Sequence, residues 1–374
     1  MLKPTPDTTE APEKGRSLWS DALLRLRQNK AAVASFVVLI AMTVICIVGP
    51  MISPHDYDEV YRDFVKVPAS LTPYPRTEEI EPGAEAALRR ARVDLESIEF
   101  NGRTLNIQVS SSREIDPRIV RYLERSSLFQ NPEIDISDDG LSATLLTDVS
   151  RHYFLFGTDS NGRDLLTRTM IAGRISLTIG LLATFVALTI GVTYGAISGY
   201  FGGRTDAIMM RIVDILYSLP FIFFVILLVV FFGRNFVLMF IAVGAIEWLD
   251  MARIVRGQTL SIKRQEYVQA AEALGVGNSG ILKRHVIPNT LGPVVVYMTL
   301  MVPKVILLES FLSFLGLGVQ EPMTSWGVLI SEGARNLQGA TWMLTFPSLF
   351  LVVTLFALNF IGDGLRDALD PKDR

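Results

Sequence analysis

The stretch that decides the fold class is Ala31–Ile52, which reads AAVASFVVLIAMTVICIVGPMI and contains no charged residue. A helix of about 20 apolar residues crosses the hydrocarbon core of a bilayer, so this stretch predicts a membrane span. It is longer than the apolar part of a signal peptide, and no small-x-small cleavage site follows it. We therefore expect an uncleaved signal anchor at 31–52.

Five further stretches downstream share this apolar character. They are Ile175–Ser198, Ala207–Phe232, Phe236–Leu249, Leu291–Leu315 and Ala340–Ile361. Together the six stretches predict an all-α transmembrane bundle of six spans, and Pro220 is expected to kink the third. We place helices 2–6 of this bundle in a domain at 166–363, followed by a tail at 364–374.

The composition excludes several classes of protein. Only 20% of the residues are charged and the mean hydropathy is +0.36, whereas a soluble domain is about 25% charged. The net charge of −3 argues against a nucleic-acid partner, which requires a strong basic field. The single cysteine, Cys46, excludes a disulfide within the chain, and three widely spaced histidines argue against a metal site.

Basic residues in short loops predict the orientation. Residues 1–30 carry six lysines and arginines and residues 252–290 carry another six, whereas the short loops on the opposite side carry only Arg234 and Arg335. Both termini are therefore expected in the cytoplasm. Within 1–30, residues 1–15 are expected to be disordered, and Ser17–Asn29 has an apolar face that predicts an amphipathic helix at the lipid surface.

The segment 53–165 is polar and is expected on the outer, periplasmic side. Its turn and periodicity signals predict a small α+β insertion, because a helical pattern at Gly83–Val93 precedes a hairpin pattern around Asn101-Gly102-Arg103. Asp116-Pro117 predicts a second helix start. The insertion is either a solvated spacer or a docking site for an external partner, and no nucleophile–base set predicts catalysis.

Small residues recur at every fourth position of the second apolar stretch. Such a stripe allows two helix backbones to approach closely in lipid. The partner is either a helix of the same bundle or another subunit, and the sequence leaves both open. The stripe consists of Ala183, Ala187, Gly191, Gly195 and Gly199.

Charged residues interrupt the apolar stretches at a few positions. Lys304 and Glu309 lie in the fifth stretch, where a charge in lipid costs about 2.5–3.5 kcal/mol. Their spacing rotates them about 140° apart on a helix, so each is expected to find a partner on another helix or to line a translocation pathway. In the third stretch, the i,i+3 spacing of Arg211 and Asp214 predicts an ion pair.

The loop between the fourth and fifth stretches reads QEYVQAAEALGVGNSGILKRHVIPN over Gln265–Asn289. It predicts a helix that ends at Gly275 with a left-handed cap, a turn at 276–279, and a second helix stopped by Pro288. A helical elbow of this kind is either a docking element for a soluble partner or an ordinary connection. Its marked residues are Gln269, Ala270, Ala271, Gly275, Gly277, His285, Ile287 and Pro288.

This loop resembles the EAA loop of ABC importer permeases, E-A-A-x3-G-x9-I-x-L-P, in which a coupling helix sits in a cleft of the ATPase subunit. Gln269 stands where that family has glutamate, so no ion pair is expected from it. The resemblance extends to GTDSNGRD at Gly157–Asp164 and FLSFLGLG at Phe311–Gly318, which are similar to signatures of the dipeptide/oligopeptide permease group. It covers residues 16–56 and 150–374.

The resemblance implies a type I-like permease subunit of an ATP-driven importer in a bacterial inner membrane, coupled through the loop 256–290. Its implied partners are a second homologous permease, two cytoplasmic ATPases, an external peptide-binding protein and membrane lipid. No Gly-x4-Gly-Lys-Ser/Thr run occurs in the sequence, so we expect no cofactor here and ATP with Mg²⁺ on the partner ATPases.

The implied cargo is oligopeptides, with dipeptides or another small cargo of the same group as the alternative. Two other classes stay open from the residues. One is a stand-alone secondary transporter, although the internal inverted repeats frequent in that class are not visible. The other is a membrane-anchored enzyme in which a domain at 53–170 does the chemistry.

Overall fold

The computed structural model describes residues 18–101, 104–233 and 236–369. The expected disordered start, the hairpin residues Gly102 and Arg103, Arg234 and the last five residues lie outside these ranges. The first helix, α1 (Leu18–Gln28), is followed directly by α2 (Lys30–Ile52). Asn29 separates them and caps α2, since its side chain accepts a hydrogen bond of 3.2 Å from the Ala32 amide.

A four-stranded antiparallel sheet follows α2, and across the sheet its strands are the first, second, fourth and third in chain order. Its inner face packs on the adjacent helices through a core that includes Leu88, Ile107, Leu123 and Leu145. The helix predicted at Gly83–Val93 begins earlier, at Thr77, and ends at Ala91. The elements are α3 (Thr77–Ala91), β1 (Asp94–Asn101), β2 (Thr104–Ser110), α4 (Val120–Glu124), β3 (Phe129–Ile136) and β4 (Ser142–Val149).

The second and third apolar stretches form α5 (Leu165–Phe201), α6 (Gly203–Ser218) and α7 (Phe221–Phe232). The prediction of one kinked helix over the third stretch is wrong, because α6 and α7 are separate helices bent by 83°. Leu219, the residue before Pro220, is extended with ψ of 129°. A proline disfavours the helical conformation of the residue before it, which explains a break rather than a kink.

The rest of the chain is helical. Four helices among the described residues are long and apolar enough to cross a membrane, or five if α6 and α7 together form one span. The prediction of six spans is therefore confirmed only in part. The elements are α8 (Phe236–Ile262), α9 (Glu266–Ala273), α10 (Asn278–Ile281), α11 (Ile287–Phe314), α12 (Trp326–Arg335) and α13 (Trp342–Leu369).

The prediction that Pro288 stops the second helix of the loop is wrong. A π-helical turn at Leu282–Val286 joins α10 to α11, so one continuous helical element runs from Asn278 to Phe314. Pro288 lies in the first turn of α11, where a missing backbone N–H is tolerated. The wider turn before it removes the need for the hydrogen bond that proline cannot donate.

The small-residue stripe of α5 packs against α8 of the same chain. All five stripe residues are buried. A Cβ atom added at Gly191 would lie 2.5 Å from Met251 Cβ, and one added at Gly199 would lie 2.8 Å from Thr259 Cβ. At Gly195 the added atom would overlap the carbonyl oxygen of Ala252. The two backbones are thus as close as glycine allows.

Pro50 in α2 explains the position of a partly buried arginine of α5. Proline cannot donate a hydrogen bond to the carbonyl four residues earlier, which is that of Cys46. Arg174 of α5 supplies the missing donor, because its Nε lies 2.7 Å from the Cys46 carbonyl oxygen and its Nη2 bonds to the Ile47 carbonyl. The arginine therefore joins α2 to α5 and has backbone partners in an apolar setting.

We predict that Gly195→Ala destabilises the protein, because the methyl group meets the backbone of α8. Overpacking of this kind costs about 1–3 kcal/mol, and the melting temperature of the purified protein in detergent should fall. Gly257→Ala is the matched control, since nothing lies within 4 Å of a Cβ atom there. Equal melting temperatures for the two variants would contradict the close contact of α5 and α8.

We also predict that the segment around His152, which follows the last strand of the sheet, becomes less stable at acid pH. His152 is partly buried, with Nε2 2.7 Å from the Ser150 hydroxyl, and burial together with His55 lowers the pKa of His152. A lowered folded-state pKa means that folding stability is fully present above the unfolded value of about 6.5 and is lost as the pH falls below it, by at most about 1.4 kcal/mol per pH unit.

Hydrogen exchange of the full chain at pH 7.0 and pH 5.5, corrected for intrinsic rates, measures this loss in residues 142–154. His152→Phe keeps a ring against Phe154 and Tyr61, which lie 5.9 Å and 4.7 Å from the imidazole centroid, and should remove the dependence. Equal protection of the wild-type chain at both pH values would show that His152 does not control this region.

Candidate functional site

The elbow, which we define as residues 266–281, is the first candidate site. Its helix α9 ends at Ala273 and is followed by Leu274 and by Gly275, whose φ is +80°. The Gly275 amide donates to the Glu272 carbonyl at 3.0 Å and the Val276 amide donates to the Ala271 carbonyl at 3.1 Å. These two bonds form a Schellman motif, for which glycine is the favoured residue.

The elbow has one buried face and one exposed face. Val268, Ala271 and Ile281 are buried against the helical core that includes Tyr200. Leu274 is 84% exposed and Tyr267 is 43% exposed. Two large apolar side chains thus lie on the exposed face of the elbow.

Three of the remaining loop residues selected from the sequence lie within the elbow, and the other three follow it. Gln269 and Ala270 are exposed, and the Gln269 side chain donates to the Arg264 carbonyl at 3.3 Å. Gly277 and Pro288 are also exposed, whereas His285 and Ile287 are half-buried in or beside the π-helical turn.

Tyr200, which the sequence reasoning did not select, ties the elbow to α5. Its hydroxyl lies 3.2 Å from Glu272 Oε1 and 3.2 Å from Asn278 Oδ1, one on each side of the turn. Lys263 Nζ donates to the Tyr200 carbonyl at 2.6 Å and lies over the ring. In the sequence, only the place of Tyr200 directly after the small-residue stripe could have indicated that it contacts the elbow.

A second candidate site is the Asp159 cluster at the start of α5. Asp159 Oδ1 accepts hydrogen bonds from the amides of Asn161 and Arg163, at 2.8 and 2.9 Å, and Oδ2 pairs with the side chains of Arg163 and Arg168. Arg163 also pairs with Glu321 at 2.9 Å. This network, which is buried except at Glu321, joins the GTDSNGRD segment, α5 and the approach to α12.

Burial has opposite consequences for two residues of this segment. Burial lowers the pKa of Arg163, but Asp159 and Glu321 outweigh it and the pKa is raised, so Arg163 is always charged. Burial raises the pKa of Asp164, against the hydrogen bonds from Thr167. Asp164 caps α5 through the Thr167 amide at 2.7 Å, whereas Arg163 pairs with Asp159 and Glu321.

A third candidate site is the charged cavity, of about 260 Å³, at the break between α6 and α7. Lys304 of α11 lies 2.8 Å from Glu247 Oε2 and 3.1 Å from Asp250 Oδ2, both on α8. The two carboxylates were not selected from the sequence, although they stand out as charges at the end of an apolar stretch. Asp214 also differs from expectation, since it pairs with Arg253 at 2.8 Å and not with Arg211.

Glu309 lies apart from Lys304 and is fully buried. Its Oε1 accepts a hydrogen bond of 2.6 Å from Ser313, and its Oε2 accepts one of 3.2 Å from Ser176 on α5. Ser176 in turn accepts a hydrogen bond of 3.2 Å from the Trp326 amide at the start of α12. Hydroxyl groups thus satisfy this carboxyl group and hold α5, α11 and α12 together.

The fold and these sites define a helical membrane protein of the transporter class, with an exposed elbow and a charged cavity at a broken helix. Two family models match the chain. One, described as the binding-protein-dependent transport system inner membrane component, matches residues 191–374, and the other, the N-terminal TM domain of oligopeptide transport permease C, matches residues 17–73.

Relatives of known role match nearly the whole chain. The oligopeptide transport system permease protein OppC of Escherichia coli K12 is 46% identical over 96% of this chain and 93% of that protein. The protein of the same name in Bacillus subtilis is 36% identical over 98% of this chain and 94% of that protein. The dipeptide transport system permease protein DppC of Bacillus subtilis is 48% identical over 59% of this chain and 69% of that protein.

The chain therefore belongs to the family of inner-membrane permease components of binding-protein-dependent transport systems, which are ABC importers. The resemblance inferred from the EAA-like loop and the GTDSNGRD segment is confirmed. Its relatives are permease proteins, so the chain is a transport subunit and not an enzyme.

We predict that Asp159→Asn strongly destabilises the protein, because it leaves the buried guanidinium groups of Arg163 and Arg168 without their shared carboxylate. Removing one partner of a buried ion pair costs about 3–5 kcal/mol. Thermal unfolding followed by tryptophan fluorescence, to which the buried Trp326 contributes, measures the loss. Glu85→Gln is the control, since Glu85 pairs with Arg89 on the surface. A similar small effect of both changes would mean that the Asp159 cluster contributes little to stability.

Proposed function

We propose that the chain is the permease subunit of an importer that moves oligopeptides from an external binding protein across a bacterial inner membrane. The observation that carries this proposal is the near full-length identity to oligopeptide permeases of two distant bacteria. The match at residues 17–73 to the N-terminal domain of oligopeptide transport permease C supports the same cargo. Dipeptide uptake is the second candidate, because the dipeptide relative is slightly more identical over its shorter match.

The proposed topology has six spans. α2, α5, α8 and α13 each cross once, the bent pair α6–α7 crosses once, and the continuous helical element from Asn278 to Phe314 crosses once. The excess of basic residues in 1–30 and 252–290 supports cytoplasmic termini and a cytoplasmic elbow. Residues 53–165 then lie in the periplasm, where the four-stranded sheet is accessible to the binding protein.

The elbow is proposed as the docking element for a partner ATPase, and the loop 256–290 as the coupling segment. Its exposed side chains, Tyr267 and Leu274, are of the type that fills a cleft. ATP and Mg²⁺ would bind to two such ATPases, and a second homologous permease would complete the pathway. This chain would contribute contacts and motion but no bound cofactor.

Transmission follows from the connections of the elbow. Tyr200 links both sides of its turn to the end of α5, and the π-helical turn joins it without a break to α11. A displacement of the elbow therefore moves two spans, which supports alternating access driven by the ATPases. A stand-alone secondary transporter would have no use for an exposed apolar elbow of this kind.

We predict that Leu274→Glu uncouples ATP hydrolysis from uptake while the chain still inserts and folds. Leu274 makes no core contact to lose at 84% exposure, and a charge in an interface centre costs about 2 kcal/mol or more, or about 30-fold in affinity. The assay is uptake of a labelled tripeptide by the complete importer in proteoliposomes, with ATP hydrolysis measured in parallel.

Leu71→Glu is the matched control, because Leu71 is 85% exposed in the segment before α3. It should leave uptake coupled to hydrolysis. Normal coupled uptake by the Leu274→Glu importer would refute the docking role of the elbow. Uptake by this chain alone, without ATPases, would instead favour the secondary-transporter class.

A further inference from the structure

The charged cavity lies where the helical structure of α6 and α7 is interrupted. Its walls come from α6, α7, α8 and α11. The side chain of Lys304 is 52% exposed, whereas Glu247 is 3% exposed and Asp250 is 25% exposed. The ammonium group is therefore open to the cavity, and the two carboxylates form its deeper acidic side.

The charges of the cavity do not cancel. Glu247 and Asp250 together carry two negative charges against the one positive charge of Lys304. Asp214 and Arg253 form a further pair that is neutral and does not line the cavity, and the Arg253 guanidinium lies 4.4 Å from the centroid of the Tyr217 ring. One negative charge thus remains without a counterion from the described residues around the cavity.

The other lining residues are apolar or aromatic, and they surround this excess charge. Sites for whole drug-sized ligands occupy about 300–1,000 Å³, so a cavity of about 260 Å³ has room for one end of a peptide rather than for a whole oligopeptide. Aromatic faces also attract cations. The principal wall residues are Leu216, Tyr217, Leu219, Phe221, Phe224 and Leu249.

We propose that this cavity is a subsite for a primary ammonium group of the transported peptide, at its N-terminus or on a lysine side chain, with the adjoining apolar group against the α6–α7 break. The proposal rests on the transport function proposed above. Asp250 is the residue expected to receive the ammonium group, since it is the more accessible carboxylate and Glu247 stays paired with Lys304.

A purely structural ion pair explains less of the geometry. One carboxylate suffices to neutralise Lys304, and a buried pair gains most when water is excluded and packing is tight. Here the lysine is half exposed, a second carboxylate is present, and the space beside them is open. An incoming ammonium group would complete the charge balance of the cavity.

The test uses the full importer and the reactivity of one introduced cysteine. Cys46 is the only cysteine and is buried, so Cys46→Ser provides the background for Ala245→Cys, which lines the cavity. Methanethiosulfonate reagents of similar size carry either a trimethylammonium or a sulfonate group. We expect the cationic reagent to react about tenfold faster than the anionic one, relative to the exposed reference position Ala69→Cys.

Asp250→Asn should bring this charge preference close to that of the reference position. Asp214→Asn removes the same charge just outside the cavity and should change the preference far less. When Asp250 is unchanged, tri-alanine should protect the cysteine of the Ala245→Cys variant from modification, whereas N-acetyl-tri-alanine should not. N-acetyl-Ala-Lys-Ala distinguishes the two sources, because it protects only if a lysine side chain also occupies the subsite.

Equal rates for both reagents, or equal protection by tri-alanine and its N-acetyl form, would overturn the proposal. ATP-dependent uptake of labelled tri-alanine by the same proteoliposomes keeps the two levels apart. If the importer with Asp250 unchanged takes up no tri-alanine, the result counts against the transport function itself. Intact uptake without charge preference or selective protection would refute only the ammonium subsite.

Discussion

The close packing of α5 against α8 is the contact on which the rest of the structure depends. In lipid there is no hydrophobic force between helices, so association requires dense packing and satisfied polar groups. The glycines of α5 bring it to the backbone of α8 near Met251, Ala252 and Thr259. One end of α5 carries the Asp159 cluster, the other carries Tyr200, and α8 holds the carboxylates of the charged cavity and leads into the elbow. A change in this contact would therefore alter every candidate site.

Several polar groups buried among the helices are satisfied within the chain and link separate helices. Arg174 takes the carbonyl that Pro50 leaves free, and Glu309 is held by serines from α5 and α11. Asp206, near the start of α6, likewise accepts two hydrogen bonds of 2.5 and 2.6 Å from Arg256 of α8. Unsatisfied groups cost several kcal/mol in a bilayer, so these contacts determine which helices are neighbours as strongly as apolar packing does.

Much of this architecture could be predicted from the sequence, where local chemistry dictates it. The apolar stretches, the left-handed cap at Gly275 and the close-packing role of the small-residue stripe all follow from side-chain type and spacing. The break before Pro220 and the continuation through Pro288 could not be foreseen, because a proline only removes one hydrogen bond and its surroundings decide the outcome. The partners of Lys304 and Asp214 lie 39–57 residues away in the chain, and no periodicity within one helix specifies such pairs.

Pro220 and Pro288 have opposite effects on the helices that contain or follow them. Before Pro220 the chain is extended and the helix direction changes by 83°, which opens the space occupied by the charged cavity. At Pro288 a π-helical turn absorbs the missing hydrogen bond and the helix continues, which keeps the elbow rigidly joined to α11. Lys304 lies on that same helix, so movement of the elbow also moves the ammonium group that lines the cavity. The proposed docking at the elbow would thereby be coupled, through one continuous helical element, to a change of cavity shape at Lys304.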